Sequence, residues 1–196
     1  MLDNRVDTLE SISKQVVNCL LCDLAKSRIN AVPGNGDIKS KVVFVGEAPG
    51  KNEDETGVPF VGSAGKILEK ALREAGFDRK EVYITNVVKC RPPNNRIPNE
   101  FEIETCTSAY LKVELQVLSP KIVCILGATA LKSLLGLGHM ILYRGKIITR
   151  PPYRYFVTYH PAATIYNNKL KETFDSDIKR LYSLIKGENK TLNDFA

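Results

Sequence analysis

Four short apolar runs, separated by segments with helical spacing, constrain the fold of this chain more than any other feature. The runs are KVVFVG (41–46), EVYIT (81–85), KIVCILG (121–127) and RYFVTYH (154–160). They are rich in β-branched and aromatic residues, as in strands that are buried on both faces. Strands separated by helices connect through right-handed crossovers. The sequence therefore predicts a three-layer α/β/α sandwich around a central, mostly parallel, four-stranded sheet.

The segments between these runs predict the helices of the outer layers. Ser63 is expected to cap a helix whose apolar residues continue to Ala75, and Gly76 supplies its stop. Segments 102–118, 128–135 and about 170–185 carry similar spacing. A chain of 196 residues with 43% apolar content can bury one core. We therefore predict a single domain over residues 1–186 and a polar C-terminal tail over 187–196.

Four cysteines suggest a metal site. Cys19 and Cys22 form a C-x-x-C pair, whereas Cys90 and Cys106 follow singly, and Cys124 lies in an apolar run that predicts core. A redox C-x-x-C motif normally follows a strand and opens a helix, and no strand pattern precedes this one. The N-terminus lacks an apolar leader, so we expect a cytoplasmic protein without disulfides.

The identity of the metal stays open on the cysteines alone. Zinc and iron–sulfur clusters both accept thiolate ligands. Zinc sites usually gather two close pairs, so the wide spacing of Cys90 and Cys106 favours a cluster slightly. The alternative is that these two cysteines are isolated buried thiols, because free cysteine is commonly buried.

Charge and hydropathy restrict the partners. The net charge is +6 and the isoelectric point about 9.0, which fits a polyanionic partner as well as an ordinary basic surface. No apolar run approaches the length of a membrane span, so no membrane association is expected.

Polar residues follow three of the predicted strands. Gly46, Glu47 and Ala48 end or follow the first strand, Asn86 follows the second, and His160 closes the last. In open parallel sheets, ligands bind outside the carboxyl ends of the strands. We therefore expect these residues to converge on one edge of the sheet.

Four motifs in order resemble the family 4 uracil-DNA glycosylases, the iron–sulfur enzymes of bacteria and archaea. They are CLLC (19–22), GEAPGKNEDETGVPFVGSAG (46–65), ITNVVKCRPPNNRIPNEFEIETC (84–106) and YHPAA (159–163). The resemblance extends from about Cys19 to Leu184. It implies a monofunctional DNA repair enzyme that flips uracil out of DNA and hydrolyses its N-glycosidic bond, which releases uracil and leaves an abasic site.

The resemblance also implies the site residues. It implies a [4Fe-4S] cluster on four cysteines and a uracil pocket from six residues, with His160 and Glu47 in catalytic roles. The cluster ligands are Cys19, Cys22, Cys90 and Cys106; the pocket residues are Gly46, Glu47, Ala48, Phe60, Asn86 and His160.

Four of these pocket residues have a chemical reason. Phe60 offers a stacking surface, and the amide of Asn86 could accept from the ring imide of uracil and donate to the adjacent carbonyl, an arrangement that cytosine reverses. His160 is expected to donate to the charge that develops on departing uracil. Family 1 enzymes carry an aspartate where this chain has Ala48, so Glu47 is our hypothesis for positioning the water.

The sequence also predicts contacts with DNA and with a protein partner. Arg150 and Arg154 lie in a basic region and are expected to contact uracil-containing DNA, single- or double-stranded. Ile165 or Tyr166, after His160, is the expected apolar wedge for the gap left by the flipped base. The C-terminus resembles a motif that docks on sliding clamps, with Leu192 and Phe195 as its apolar residues. We expect a monomer.

Two other function classes account for part of the sequence. A non-catalytic nucleic-acid-binding protein with a structural metal site would explain the charge and the cysteines, but it would not require Phe60, Asn86 and His160 together. An iron–sulfur redox protein would explain the cysteines alone.

Overall fold

A six-stranded mixed sheet forms the centre of the protein, in the order β1-β3-β2-β4-β6-β5. The computed structural model describes residues 2–193, and the side chains of residues 5–187. The strands are β1 (Asn35–Gly36), β2 (Val42–Gly46), β3 (Tyr83–Asn86), β4 (Ile122–Leu126), β5 (Ile147–Arg150) and β6 (Tyr153–Thr158). The α-helices are α1 (Leu2–Val17), α2 (Lys51–Thr56), α3 (Ser63–Ala75), α4 (Glu100–Cys106), α5 (Lys112–Leu118), α6 (Ala128–Leu135) and α7 (Asn168–Asn193).

The four predicted strands are confirmed as the parallel centre of this sheet. β3, β2, β4 and β6 lie side by side and run in one direction. The predicted number of four strands is approximate, because β1 and β5 add an antiparallel strand at each edge. β1 has two exposed residues and β5 is half-exposed, so neither carries the continuous apolar run by which the inner strands were found.

Helices cover both faces of the sheet, which confirms the three-layer sandwich. One core contains residues of α1, α5 and α6 together with Val43, Val45 and Val123. The other contains residues of α3 and α7 together with Phe44 and Cys124, so Cys124 is a core residue as predicted. Alternate residues of one strand enter opposite cores because side chains along a strand alternate between its two faces.

The helices differ from the predicted pattern at three places. Helices α1 and α2 were not predicted from the sequence. Gly62, not Ser63, is the N-cap of α3, and Ser63 is its first helical residue. The predicted helix over 102–118 consists of α4, a π-helical segment at Thr107–Leu111 and α5, and such π segments often occur near functional residues.

No helix within the described residues is long and apolar enough to cross a membrane. Helix α7 continues to Asn193. The predicted clamp contacts of Leu192 and Phe195 fall outside the side chains that the structure describes.

Gly65 in α3 packs against the backbone of Phe60, whose φ of 55° is left-handed. A Cβ atom at Gly65 would overlap the carbonyl oxygen and carbonyl carbon of Phe60. Replacing a helical glycine by alanine normally stabilises a helix by about 0.5–1 kcal/mol. We expect Gly65→Ala instead to destabilise the fold by roughly 1–3 kcal/mol, because the Phe60 backbone must shift.

Thermal unfolding of Gly65→Ala and of Gly187→Ala in α7 checks this prediction. A Cβ atom at Gly187 meets nothing within 4 Å, so that variant is the matched control and should unfold at the native temperature or above it. Equal unfolding temperatures for the two variants would show that the Phe60 contact imposes no constraint.

Candidate functional site

A cavity of about 520 Å³ opens at the carboxyl edge of the sheet, within the size range of small-molecule sites. The loop after β2, the end of β3 and the residues after β6 all contribute to it. Its walls include Glu47, Ala48, Phe60, Asn86 and His160, which the sequence analysis had singled out. The structure therefore brings these five predicted residues together.

Gly46, the sixth predicted pocket residue, lies directly beside the cavity at the end of β2. A side chain there would overlap the Oδ1 atom of Asn86 and would lie 2.6 Å from the Cζ atom of Phe60. The Phe60 ring lies 5.7 Å from the His160 ring, at an angle of 38°. The absence of a side chain at Gly46 therefore allows an amide and an aromatic wall to meet at one point.

Asn86 presents an unpaired polar atom to this cavity. It is the last residue of β3, lies opposite Gly46 in the parallel register, and is 1% exposed. Its Oδ1 atom is buried and has no hydrogen-bond partner among the described residues. Buried polar atoms are nearly always paired, so this acceptor is suited to an N–H group of a ligand.

His160 presents the complementary atom. The backbone N–H of Ala162 donates to its Nδ1 atom at 3.2 Å, so the neutral ring carries its proton on Nε2. Nε2 is buried and unpaired within the described part of the chain. Burial lowers the pKa of His160 to about 4, and the negative charge of Glu53 opposes this shift only partly. At neutral pH, His160 is therefore an uncharged N–H donor.

Glu47 occupies another wall of the cavity and is held by a residue of α6. The hydroxyl group of Thr129, in the first turn of α6, donates a short hydrogen bond to Oε2 of Glu47. The carbonyl groups of Gly46 and Glu47 accept from the N–H groups of Val87 and Val88, at 3.0 and 3.1 Å. These bonds join the loop after β2 to the segment after β3.

Glu53 is a cavity residue that the sequence analysis missed. Its carboxylate accepts from the N–H groups of Gly50 (3.0 Å), Val61 (2.9 Å) and Gly62 (2.7 Å), and so ties the start of α2 to the loop that carries Phe60. A Cβ atom at Gly50 would lie 2.8 Å from its Oε2 atom. The bond from the N-cap Gly50 N–H to Glu53 is one half of a capping box, and a glutamate at the third position of a helix could have revealed it.

The loop between β3 and α4 forms a rim that was also not predicted as part of the site. Pro92, Asn95 and Arg96 line the cavity. Arg96 forms a bidentate ion pair with the carboxylate of Glu102, at 2.7 and 2.8 Å. The rim therefore places a cation beside the entrance and fixes its position.

The predicted DNA contacts fall into two groups. Ile165 is 39% exposed and Tyr166 is 98% exposed, and both follow Ala162 and Ala163, which line the cavity. The structure does not bring Arg150 and Arg154 to this place. In the register, Arg154 lies opposite the first residue of β4 and Arg150 opposite Tyr153, so both arginines lie at the amino ends of the parallel strands.

The four cysteines line a second, smaller cavity. Cys19, Cys22, Cys90 and Cys106 surround it together with apolar side chains, which include those of Leu24, Val88 and Tyr110. Three N–H groups point at these sulfurs: Arg28 donates to Cys90 at 2.9 Å, and the backbones of Lys89 and Leu21 donate to Cys106 and Cys19 at 3.2 and 3.5 Å. Hydrogen bonds to sulfur are one means by which proteins adjust iron–sulfur centres.

Four cysteine thiols at one cavity are a donor set that an iron–sulfur cluster can use. Among the described residues, no three His, Cys, Asp or Glu side chains lie close enough to hold one ion. A cubane cluster binds each thiolate through a different iron atom, so its ligands stand farther apart than those of one zinc ion. Burial raises the pKa of Cys106 to about 12, so iron binding would have to displace the proton.

Comparisons with known proteins identify the family of this chain. A family model described as the uracil DNA glycosylase superfamily matches residues 33–182. The chain is 43% identical over 194 residues to a protein from Sulfurisphaera tokodaii named type-4 uracil-DNA glycosylase, with 91% of this chain and 86% of the relative covered.

Two further relatives with the same name extend this similarity from archaea to bacteria. One, from Archaeoglobus fulgidus, is 39% identical over 97% of this chain and 100% of its own length. The other, from Thermotoga maritima, is 40% identical over 94% of this chain and 98% of its own length. The chain belongs to the uracil-DNA glycosylase superfamily and, within it, to the type-4 uracil-DNA glycosylases.

Proposed function

We propose that this protein removes uracil from DNA by hydrolysing the N-glycosidic bond. One observation carries the assignment beyond family membership: an unpaired acceptor, Asn86 Oδ1, and an unpaired donor, His160 Nε2, are both buried at the same cavity. Uracil offers an imide N–H for the acceptor and carbonyl oxygens for the donor. Cytosine has a ring acceptor in place of the imide N–H, so it would leave Asn86 unsatisfied.

The chemical step follows from the protonation state of His160. Cleavage leaves negative charge on uracil, shared between its carbonyl oxygens and the ring nitrogen that held the sugar. The neutral Nε2–H group donates to the carbonyl oxygen beside that nitrogen, and so stabilises the departing anion. Water then adds its hydroxyl group to the sugar carbon, and its proton goes to the solvent or the released base.

Glu47 positions that water in this mechanism. Thr129 binds one of its oxygens, and this contact fixes the orientation of the carboxylate at the cavity wall. Because the sugar gains oxocarbenium character as uracil leaves, a well-placed water needs little deprotonation. The carboxylate also faces that developing positive charge, which favours the same transition state.

The surface around the cavity suits an extruded nucleotide. Phe60 provides the wall on which the base stacks, and Tyr166 or Ile165 enters the gap that the base leaves. Arg96 on the rim offers a cation for the phosphate backbone. Residues of one chain line the cavity, which supports a monomer as the active form, and the cytoplasmic location stays a prediction.

We also propose that Cys19, Cys22, Cys90 and Cys106 bind a [4Fe-4S] cluster. Its contribution is structural, because glycosidic hydrolysis transfers no electrons. The cysteines belong to three separate segments: the arm after α1, the loop after β3 and the end of α4. A cluster that joins these three segments would fix the rim loop and the segment that carries Asn86.

The central test is release of free uracil from oligonucleotides that contain U:G, U:A or single-stranded uracil. His160→Ala removes the donor, and we expect its single-turnover rate to fall by roughly a hundredfold or more. His139→Ala is the matched control, because His139 lies outside the cavity, and it should retain the native rate. Equal rates for the two variants would remove His160 from the mechanism.

The pH dependence gives an independent check on the same residue. The folded pKa of His160 is about 4, below its ordinary value of 6.5. The active neutral form therefore persists as pH falls through 6.5, and its loss is expected only as the pH approaches 4. A single-turnover rate that rises on acidification through pH 6.5 would instead indicate a charged imidazolium donor.

Asn86→Asp tests whether Asn86 distinguishes uracil from cytosine. An aspartate has no amide N–H₂ group, so we expect slower uracil excision and a smaller preference for uracil over cytosine. Excision from matched U:G and C:G duplexes measures this preference. An unchanged ratio would show that Asn86 does not recognise the base.

Iron analysis tests the cluster. Cys90→Ser and Cys106→Ser should lose iron, the visible absorption of sulfur-to-iron charge transfer, and thermal stability. Cys124→Ala is the matched control, since Cys124 is buried in the core of the sheet, and it should keep its iron. One zinc ion per chain in the native protein would overturn the proposal.

A further inference from the structure

A fully buried ion pair lies directly beneath the proposed uracil pocket. The Nζ atom of Lys89 lies 2.6 Å from Oε2 of Glu114 on α5, and each side chain is only 1% exposed. Lys89 also donates to the hydroxyl group of Thr85 and to the backbone carbonyl of Asn86, the latter at 3.1 Å. Glu114 in turn accepts from the hydroxyl group of Thr85 and from the N–H group of Gly34.

Stability alone is a weak reason for such a pair. Two charges lose their hydration when they are buried, and well-packed apolar residues of similar volume often hold a fold as well or better. Breaking a pair by removing one partner is costly, because the other charge then stays buried alone. What distinguishes Lys89 and Glu114 is therefore their location.

Lys89 connects the two sites of the protein. Its side chain holds the carbonyl of Asn86, three residues before it, and its backbone N–H donates to Sγ of Cys106. Its own carbonyl accepts from the N–H of Val32 at 2.7 Å. Lys89 therefore lies between Asn86, whose amide faces the pocket, and the cysteine cavity. Hydrogen bonds hold both its side chain and its backbone.

We propose that Lys89 and Glu114 form a positioning pair that orients Asn86 for uracil. They do not line the pocket, and they act through the end of β3. Anchoring the carbonyl of Asn86 fixes the backbone from which its amide projects. Errors of about 1 Å at a reacting site can cost about a hundredfold in rate. This inference rests on the proposed function.

The test is the double variant Lys89→Met/Glu114→Gln of the iron-loaded protein. It removes both charges together, keeps similar volumes and leaves an amide for Thr85 and Gly34. We expect near-native thermal unfolding and iron content, but a single-turnover rate for uracil release at least tenfold lower. The amplitude of the reaction should stay full, because every molecule is folded; partial unfolding would lower the amplitude instead.

A matched control uses the exposed ion pair of Lys132 and Glu100, whose side chains are 67% and 87% exposed. Lys132→Met/Glu100→Gln makes the same chemical change at the surface and should keep the native rate. If the buried double variant remains folded and excises uracil at the native rate, the positioning role is refuted.

A double-mutant cycle shows whether the pair acts through Asn86. In the Asn86→Ala background, the change at Lys89 and Glu114 should slow uracil release by less than a further twofold, since the group it positions is gone. An undiminished further effect would mean that the pair supports the fold generally.

Thr85→Val provides a second variant should the buried double variant not fold. It removes the hydroxyl group shared by Lys89 and Glu114 while both charges remain, and we expect a several-fold slower rate at full amplitude, with Thr85→Ser near native. A native rate in Thr85→Val would refute the inference. No uracil release by the unaltered protein would refute the proposed function itself, whereas release with unchanged variants refutes only the positioning role.

Discussion

The parallel register of the inner strands is the constraint on which the site depends. β2 and β3 pair so that Gly46 lies opposite Asn86, and β4 pairs with β6 so that Leu126 lies opposite Thr158. All of these strands end at one edge, which places the loop after β2, the end of β3 and His160 around one space. Because the strands are buried on both faces, a shift of one residue would exchange their two cores. The hydrophobic pattern that fixes the fold therefore also fixes the distance between the polar groups at the cavity.

Convergence at this edge also requires that two positions carry no side chain. Gly46 allows Asn86 and Phe60 to meet beside the cavity. Gly127, at the start of α6, has φ of +94°, and a Cβ atom there would lie 2.9 Å from that of His160. Glycine at position 127 therefore permits both the positive φ angle and the close approach to His160. The short loops between strand and helix consequently act as rigid parts of the site.

The sequence predicted the elements that are governed by local pattern. Continuous apolar runs located the four inner strands, and the rule for parallel sheets located Glu47, Asn86 and His160. Prediction from the sequence failed where a contact depends on residues that are distant along the chain. β1 and β5 form strands because each pairs with a neighbouring strand of the sheet. Glu53, on α2, contacts the loop that carries Phe60, and the two come together only in the fold. Arg150 ends β5 and Arg154 is the second residue of β6, so both lie at the amino end of β6, whereas His160 follows its carboxyl end.

Burial gives His160 and Asn86 their proposed roles. The same desolvation lowers the pKa of His160, so the ring stays neutral and donates without first binding a proton. A charged imidazolium would attract the uracil anion more strongly, but keeping it charged in this site would require a compensating carboxylate contact. The only described carboxylate that opposes the pKa shift of His160 is Glu53, and three backbone N–H groups already occupy its oxygens. The neutral donor is therefore the state that this arrangement of residues maintains.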